Sequence, residues 1–260
     1  MPGELPYKIF PLGDSAITLD YGNTIDETIN RRVITLFRSL NNEPLQGMTE
    51  AVPAYSSLTI YYDPVRLRKQ VPAGKTVYEW MAEQIEQRLQ LPIQEDDLSS
   101  GLVKIPVCYE KEFAPDIEEI ASTKYISFDE VIQIHTSKAY RVYMLGFIPG
   151  FAYMGEVDEK IAMPRKIQPR QKVEAGSVGI AGKQTGIYPL ASPGGWQIIG
   201  RTPIKLFNAA PSNPALPAGR LPGGETFENS LCLLHPGDNV QFYSITVNDF
   251  YEIQNSPSQS

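Results

Sequence analysis

Residues Ala175 to Pro189 read AGSVGIAGKQTGIYP, and the chain continues through Pro203 as LASPGGWQIIGRTP. No long helical period survives in this stretch. Short apolar runs are broken by Gly and Pro, the pattern of an all-β barrel or sandwich with elaborate loops. The character extends outward on both sides. Of the 20 glycines, 14 lie between residues 140 and 240, together with 11 prolines. Residues 208–228 read as a long, turn-rich surface loop, and residues 255–260 as a disordered tail.

Upstream the pattern differs. Two β-like runs, Tyr7–Phe10 and Ala16–Tyr21, flank a Pro-Leu-Gly-Asp turn. Thr24-Ile25-Asp26-Glu27 has the form of a capping box, in which hydroxyl and carboxylate each accept an orphan backbone N–H. Behind it Ile25, Ile29, Val33, Leu36, Phe37 and Leu40 recur at helical spacing. Leu58–Tyr62 reads as a strand stopped by Asp63-Pro64. A second box, Thr76 to Glu79, opens a helix with Val77, Trp80, Met81, Ile85 and Leu89 on its inner side. Two amphipathic helices with several short strands fit a sheet covered on one face. The acidic stretch 92–101 reads as a linker. After it come a strand at Leu102–Tyr109 and helices around Ile117–Ala121 and Asp129–His135, the second opened by a box at Ser127–Glu130. The expected class is α+β, with an N-terminal α/β sandwich domain at 1–91 and a β domain at 102–254.

Composition excludes several roles. Apolar residues make up 42% and charged residues 20%, enough for a real core, and a net charge of -7 gives no overall attraction to nucleic acid or anionic lipid. No basic-then-apolar leader opens the chain, and Val142–Gly155 is too short to span a bilayer. Two cysteines, Cys108 and Cys232, make no disulfide framework, so a reducing cytoplasm is the expected compartment. The two histidines, His135 and His235, have no ligand-spaced neighbours, and no metal site is expected.

Charge is unevenly placed. Between Lys138 and Lys205 ten Lys/Arg face four Asp/Glu. This is either a solvated basic face or an anion site, the latter favoured where arginines adjoin glycines with available N–H groups. Pro164-Arg165-Lys166-Ile167-Gln168-Pro169-Arg170 holds its backbone extended, and Arg165 and Arg170 suit a carboxylate or phosphate fork. A phosphate loop needs Gly, four residues, then Gly-Lys-Ser/Thr. Ser177 stands at the first glycine and Gln184 at the hydroxyl, so that reading is rejected. In Gly146-Phe147-Ile148-Pro149-Gly150-Phe151-Ala152-Tyr153, tight turns separate large aromatics. The segment suits a rigid loop lining a pocket or docking a partner; filling of the barrel core is the alternative for Phe147 and Phe151.

Gly-Phe-x-Pro-Gly-Phe-x-Tyr, the 175–189 segment and Ser-Pro-Gly-Gly-Trp-x-x-Ile-Gly-Arg-Thr-Pro occur here in order. Together they resemble the family of the bacterial 5-oxoprolinase B subunit, also called allophanate hydrolase subunit 1 and typified by KipI. Ile105–Tyr109 and His135-Thr136 extend the resemblance over most of the chain. Two features depart from it: Glu174 stands where proline is expected, and the 208–228 loop is long. The resemblance implies a cyclophilin-like β-barrel after the small α+β domain, and cooperation with A and C subunits in ATP-dependent opening of 5-oxoproline to glutamate, with Mg accompanying the nucleotide. Its alternatives are a KipI-like kinase-inhibitor module and a urea- or allophanate-type carboxyltransferase component.

Under that resemblance Arg165, Arg170 and Arg201 would hold a carboxylate or phosphate of a small anionic substrate. Gln184, Tyr188 and the backbone around Gly176, Ser177 and Gly179 would bind a carbonyl oxygen. His135 would serve as general acid or base, with a structural histidine at a helix end as the alternative. Trp196 would wall the pocket or fill the core. Phe147, Ile148, Phe151 and Tyr153 would form the contact with the C subunit.

Overall fold

The structure is a computed structural model that describes residues 6–91, 101–208 and 231–256. The chain divides into two compact units, Met1–Ser99 and Ser100–Ser260. Most of the expected linker and of the 208–228 loop lies outside the described residues.

In the first unit, strands β1 (Lys8–Pro11), β2 (Ala16–Asp20), β3 (Met48–Pro53) and β4 (Ser57–Tyr62) form an antiparallel sheet in the order β1-β2-β4-β3. Leu58, Ile60 and Tyr62 alternate inward along β4 and meet Val33, Leu36 and Leu40 of helix α1 (Glu27–Asn42). A short helix α2 (Pro64–Leu67) follows the Asp63 cap. Met81 and Ile85 of α3 (Val77–Leu89) join the same core. Thr76 and Glu79 form the expected capping box. The box at Thr24 does not form. Asp26 is the N-cap, its carboxylate accepting from the Ile29 N–H at 2.9 Å. A carboxylate there also answers the positive end of the helix dipole, which a hydroxyl does not. Ile25 is consequently outside the helix and exposed.

The second unit contains β5 (Leu102–Cys108), α4 (Ile117–Lys124), α5 (Phe128–Thr136), β6 (Ala139–Leu145), β7 (Ala152–Gly155), β8 (Arg170–Val173), β9 (Ser177–Ala181), β10 (Gln184–Ile187), β11 (Ser192–Gly194), β12 (Gln197–Arg201), β13 (Asn239–Ile245) and α6 (Val247–Asn255). Seven strands close into a barrel in the order β10-β7-β6-β13-β5-β12-β9, and β10 pairs back onto β9. Only β5 and β13 run parallel among these pairs. β8 and β11 form a separate two-stranded ribbon.

The α+β class with a barrel in the second unit matches the expectation. Helix α6 goes beyond it, although Thr246 and Asp249 make a full capping box in front of that helix. Asn255 is the last residue of α6, in which Phe250 packs against Phe113, and residues 257–260 of the expected tail lie outside the described residues. Among the described residues no helix is long and apolar enough to cross a membrane.

Side chains alternate across the barrel wall. Val178, Ile180, Ile187 and Ile199 enter the interior with Val107, Tyr140 and Phe242. Ala181, Ile198 and Trp196 join a second apolar cluster with Phe151, Val173 and Tyr188. The residues between the inward ones on β9 and β10 are glycines: Gly179 and Gly186 are register partners. A Cβ on Gly186 would lie 3.0 Å from ring atoms of both Phe151 and Trp196, and one on Gly179 would lie 3.0 Å from the Trp196 Cβ. The two aromatic rings therefore lie directly on the outer backbone of the sheet.

Gly176, at φ +83°, enters β9 in the left-handed region, and a Cβ there would strike the Thr202 carbonyl oxygen. Gly176→Ala is therefore expected to cost ~1–3 kcal/mol in left-handed strain alone, with more from the clash. Urea unfolding of the full chain measures it; an unchanged midpoint would contradict this account.

Candidate functional site

The outer cluster is built from four stretches far apart in sequence. Phe151 is its hub, 1% exposed, with edge-to-face contacts to Phe147, Tyr153, Tyr188 and Trp196 at ring-centroid separations of 5.6, 4.8, 5.2 and 5.3 Å. Such pairs add about 0.5–1.5 kcal/mol each beyond area burial. Tyr153 lies in register with Gly186 on β10, which pairs on its other side with Gly179. The missing side chains of those glycines make the trough that the rings fill. Tyr188 sits close beneath Gly194, whose lack of a Cβ leaves room for the phenol oxygen. Burial pushes the Tyr153 and Tyr188 hydroxyls above the ordinary tyrosine value, and the positive charge of Arg165 opposes it at both.

Arg165 is exposed, with its guanidinium carbon 5.9 Å from the Trp196 ring centre. That geometry is a cation–π contact. The neighbouring cations of the same segment are committed elsewhere. Arg170 Nη2 donates to Asp116 Oδ1 at 2.5 Å, and Lys166 Nζ lies 2.9 Å from both Asp116 Oδ1 and Glu119 Oε2. Arg170, expected as an anion fork, is placed instead as the partner of a buried carboxylate. Asp116 itself is missing from the sequence-derived candidates. It precedes α4 like a cap residue but makes no side-chain cap. Its partners lie 54 and 82 positions away, beyond any local signal.

Other expectations fare differently. The Gly176 N–H donates to the Tyr188 carbonyl at 2.7 Å and the Ser177 N–H to the Glu174 carbonyl at 3.2 Å. These donors are spent on the start of a barrel strand, so they do not form an oxyanion cradle; Gly179 lies farther along that strand, under Trp196. Phe151 is corrected from an exposed contact tip to a buried hub. Phe147 remains 61% exposed, with φ +69°, and Ile148 and Tyr153 are half-buried. Gln184 opens β10 opposite Gly155 and Ala181, half-buried. Trp196 is buried as a wall of the cluster. Arg201 ends β12, with Nε donating to the Ala175 carbonyl at 2.8 Å.

His135 is brought to the other side of the wall. It is fully buried, stacked on Phe242 at 4.6 Å. Thr185 Oγ1 donates to the Gly179 carbonyl at 3.2 Å. His135 Nε2, at 3.0 Å, must then donate to Thr185, leaving Nδ1 to accept from the Tyr109 hydroxyl at 2.8 Å. Both ring nitrogens are engaged inside the barrel. This is the arrangement of the structural alternative, and it leaves no ring nitrogen to exchange protons with a ligand on the outer face.

The chain matches the family model described as carboxyltransferase domain, subdomain C and D, over residues 7–217. It is 41% identical to the 5-oxoprolinase B subunit of Bacillus subtilis (strain 168), over 94% of this chain and 95% of that relative. The crystal structure of TTHA0988 superposes with a TM-score of 0.70 at 34% identity, covering 88% of this chain and 40% of that longer one. The urea carboxylase of Kluyveromyces lactis shares the fold, at a TM-score of 0.73 and 22% identity, over the whole of this chain and 24% of its own.

Burial holds the His135 imidazole down to about 3, against an ordinary value of 6.5. The unfolded chain therefore takes up this proton first. The stability that depends on neutral His135 is complete above 6.5 and is lost as pH falls toward 3. Across that window the wild type should lose up to about 1.4 kcal/mol per pH unit more than His135→Asn, which cannot titrate. Parallel stability–pH curves from urea unfolding would contradict a buried, neutral imidazole.

Proposed function

Because this chain belongs to the family of the carboxyltransferase domain, subdomain C and D, we propose that it is the B subunit of an ATP-dependent 5-oxoprolinase. It works with A and C subunits and is inactive alone. The observation that carries this reading is the end-to-end likeness to the Bacillus subtilis 5-oxoprolinase B subunit at 41% identity. The outer face of the barrel supports it chemically. The proposed substrate is a flat five-membered lactam bearing one carboxylate. Half-buried Tyr153 and the edges of the aromatic cluster offer apolar surface for such a ring. Arg165, which makes no ion pair among the described residues, offers charge for the carboxylate. Gln184, half-buried on an adjoining strand, offers an amide toward the lactam carbonyl and ring nitrogen.

In the overall reaction water adds to the lactam carbonyl carbon, the ring C–N bond breaks, and the nitrogen leaves as the amine of glutamate. ATP hydrolysis drives it. Among the described residues no group of three or more His, Cys, Asp or Glu side chains gathers to hold a metal ion. Ser177–Ala181 and Gln184–Ile187 of the glycine-rich stretch are barrel strands that spend their backbone donors in the sheet. We assign the nucleotide and its magnesium to the assembled complex.

Co-expression with A and C homologues should yield ATP-dependent release of glutamate from 5-oxoproline, with none from the purified single chain. A complex that forms but releases no glutamate would sink the reading. Turnover by the single chain would refute its non-autonomous character.

A further inference from the structure

The segment 164–170 carries three cations, and the fold treats them unequally. Asp116, 3% exposed, sits beneath the segment. Its Oδ1 takes Arg170 Nη2 and Lys166 Nζ, and its Oδ2 accepts the Ile198 N–H at 2.6 Å. Its own N–H donates to the Ile198 carbonyl at 3.0 Å. One residue thus clips the start of α4 to β12 through both backbone polar groups of Ile198 while anchoring the cationic segment. Further bonds tie that segment to the turn bearing Trp196: Lys166 N–H to the Gly195 carbonyl at 2.7 Å, Gln197 Nε2 to the Pro164 carbonyl at 3.0 Å, and Arg170 Nη1 to the Trp196 carbonyl at 3.4 Å. Arg165, adjoining Lys166, has none of this compensation and is left over the Trp196 ring.

We propose that Asp116 is a positioning residue of the outer-face site: by binding Arg170, Lys166 and the Ile198 N–H, it holds the segment so that Arg165 is presented uncompensated above Trp196 to the carboxylate of a small anionic ligand. Asp116 touches no ligand. It acts by spending its charge on the two flanking cations, and its burial restricts that charge to groups the fold brings to it. The carboxylate also sets Trp196 itself, because Ile198 lies two residues after it on the strand that Gln197 opens. Without it, Arg170 and Lys166 would compete for the same anion in unfixed positions, and the Arg165–Trp196 contact would loosen. The ligand class rests on the function proposed above; the positioning role does not.

The chain has two tryptophans, Trp80 and Trp196, so a Trp80→Phe background leaves Trp196 as sole reporter. In that background Arg165→Gln should change the Trp196 emission intensity and maximum, because a cation leaves the ring. Asp116→Asn should change them in the same direction, and the double variant should go no further than Arg165→Gln alone, the signature of two residues acting through one contact. In the reconstituted complex, both single variants should raise KM for 5-oxoproline roughly tenfold or more, the scale of a charge-assisted bond, with kcat within about twofold by the same uniform-binding logic. An Asp116→Asn spectrum equal to that of its parent, or additive effects in the double variant, would overturn the proposal. If Asp116→Asn does not fold, Arg170→Gln decides in its place: a smaller shift in the same direction is expected, and an unshifted spectrum overturns it. If the wild-type complex opens no 5-oxoproline, the functional reading fails while the spectra still decide the positioning claim.

Discussion

The outer face of the barrel rests on one steric constraint, the pairing of Gly179 with Gly186 across β9 and β10. A Cβ on Gly186 would press on the Phe151 and Trp196 rings at 3.0 Å, and one on Gly179 on the Trp196 Cβ at 3.0 Å, so any side chain at either position would push against this close seating. With glycine at both, the closing strands carry a hydrophobic core on each side. The inner one is packed by Val178, Ile180 and Ile187, and the outer one by Phe151, Tyr188, Trp196 and Ile198. Glycine in a strand interior costs about 0.5–1 kcal/mol of backbone entropy relative to alanine. Aromatic burial of the size seen at Phe151 and Trp196 more than offsets that. The polar chain Tyr109–His135–Thr185–Gly179 braces the same strands from inside, ending on the carbonyl of one of the paired glycines.

On this apolar floor, electrostatics decides what the surface offers. A net charge of -7 would lead one to expect a surface that repels anions. Locally the reverse holds, because cations cluster on the segment over the floor and only some are neutralised. Asp116 and Glu119 take up Lys166 and Arg170, and Arg165 remains beside two tyrosines and a tryptophan. A flat ring with one negative substituent matches that combination of apolar edge and single cation better than a polyphosphate does, since a polyphosphate needs several convergent donors. The proposed match to a small carboxylated lactam rests on that count of uncompensated charges.

Much of this is legible along the chain. Gly- and Pro-broken apolar runs point to the barrel, and Thr76 to Glu79 marks a helix start that forms as written. The aromatic and arginine segments singled out there come together on one face of the barrel. What escapes follows physical rules of its own. Asp26 displaces Thr24 as N-cap because a carboxylate serves the helix dipole better. Strand β3 hides because Met48–Pro53 is an edge strand whose outward-facing Val52 and inward-facing Ala51 and Pro53 give the sequence no apolar alternation, and Pro53 is tolerated at such an edge. Helix α6 carries a capping box at Thr246 that a barrel reading of the region obscures. The glycine-rich loop looks rich in free N–H donors, but a strand consumes its donors in the ladder, and that is fixed by pairing partners. Asp116 is invisible for the same reason: its role exists only after residues 54 and 82 positions away arrive beside it.

The central claim is that the Arg165-capped aromatic face of the barrel is where this chain meets the proposed lactam substrate. Hydrogen–deuterium exchange of the assembled three-subunit complex, with and without 5-oxoproline, tests it most directly. Added protection is predicted in this chain at residues 151–155, 164–170, 184–188 and 194–198. Protection confined to other parts of this chain, such as the shallow cavity of about 310 Å³ lined by Tyr109, Phe128, Ile132 and Ile245, would contradict it.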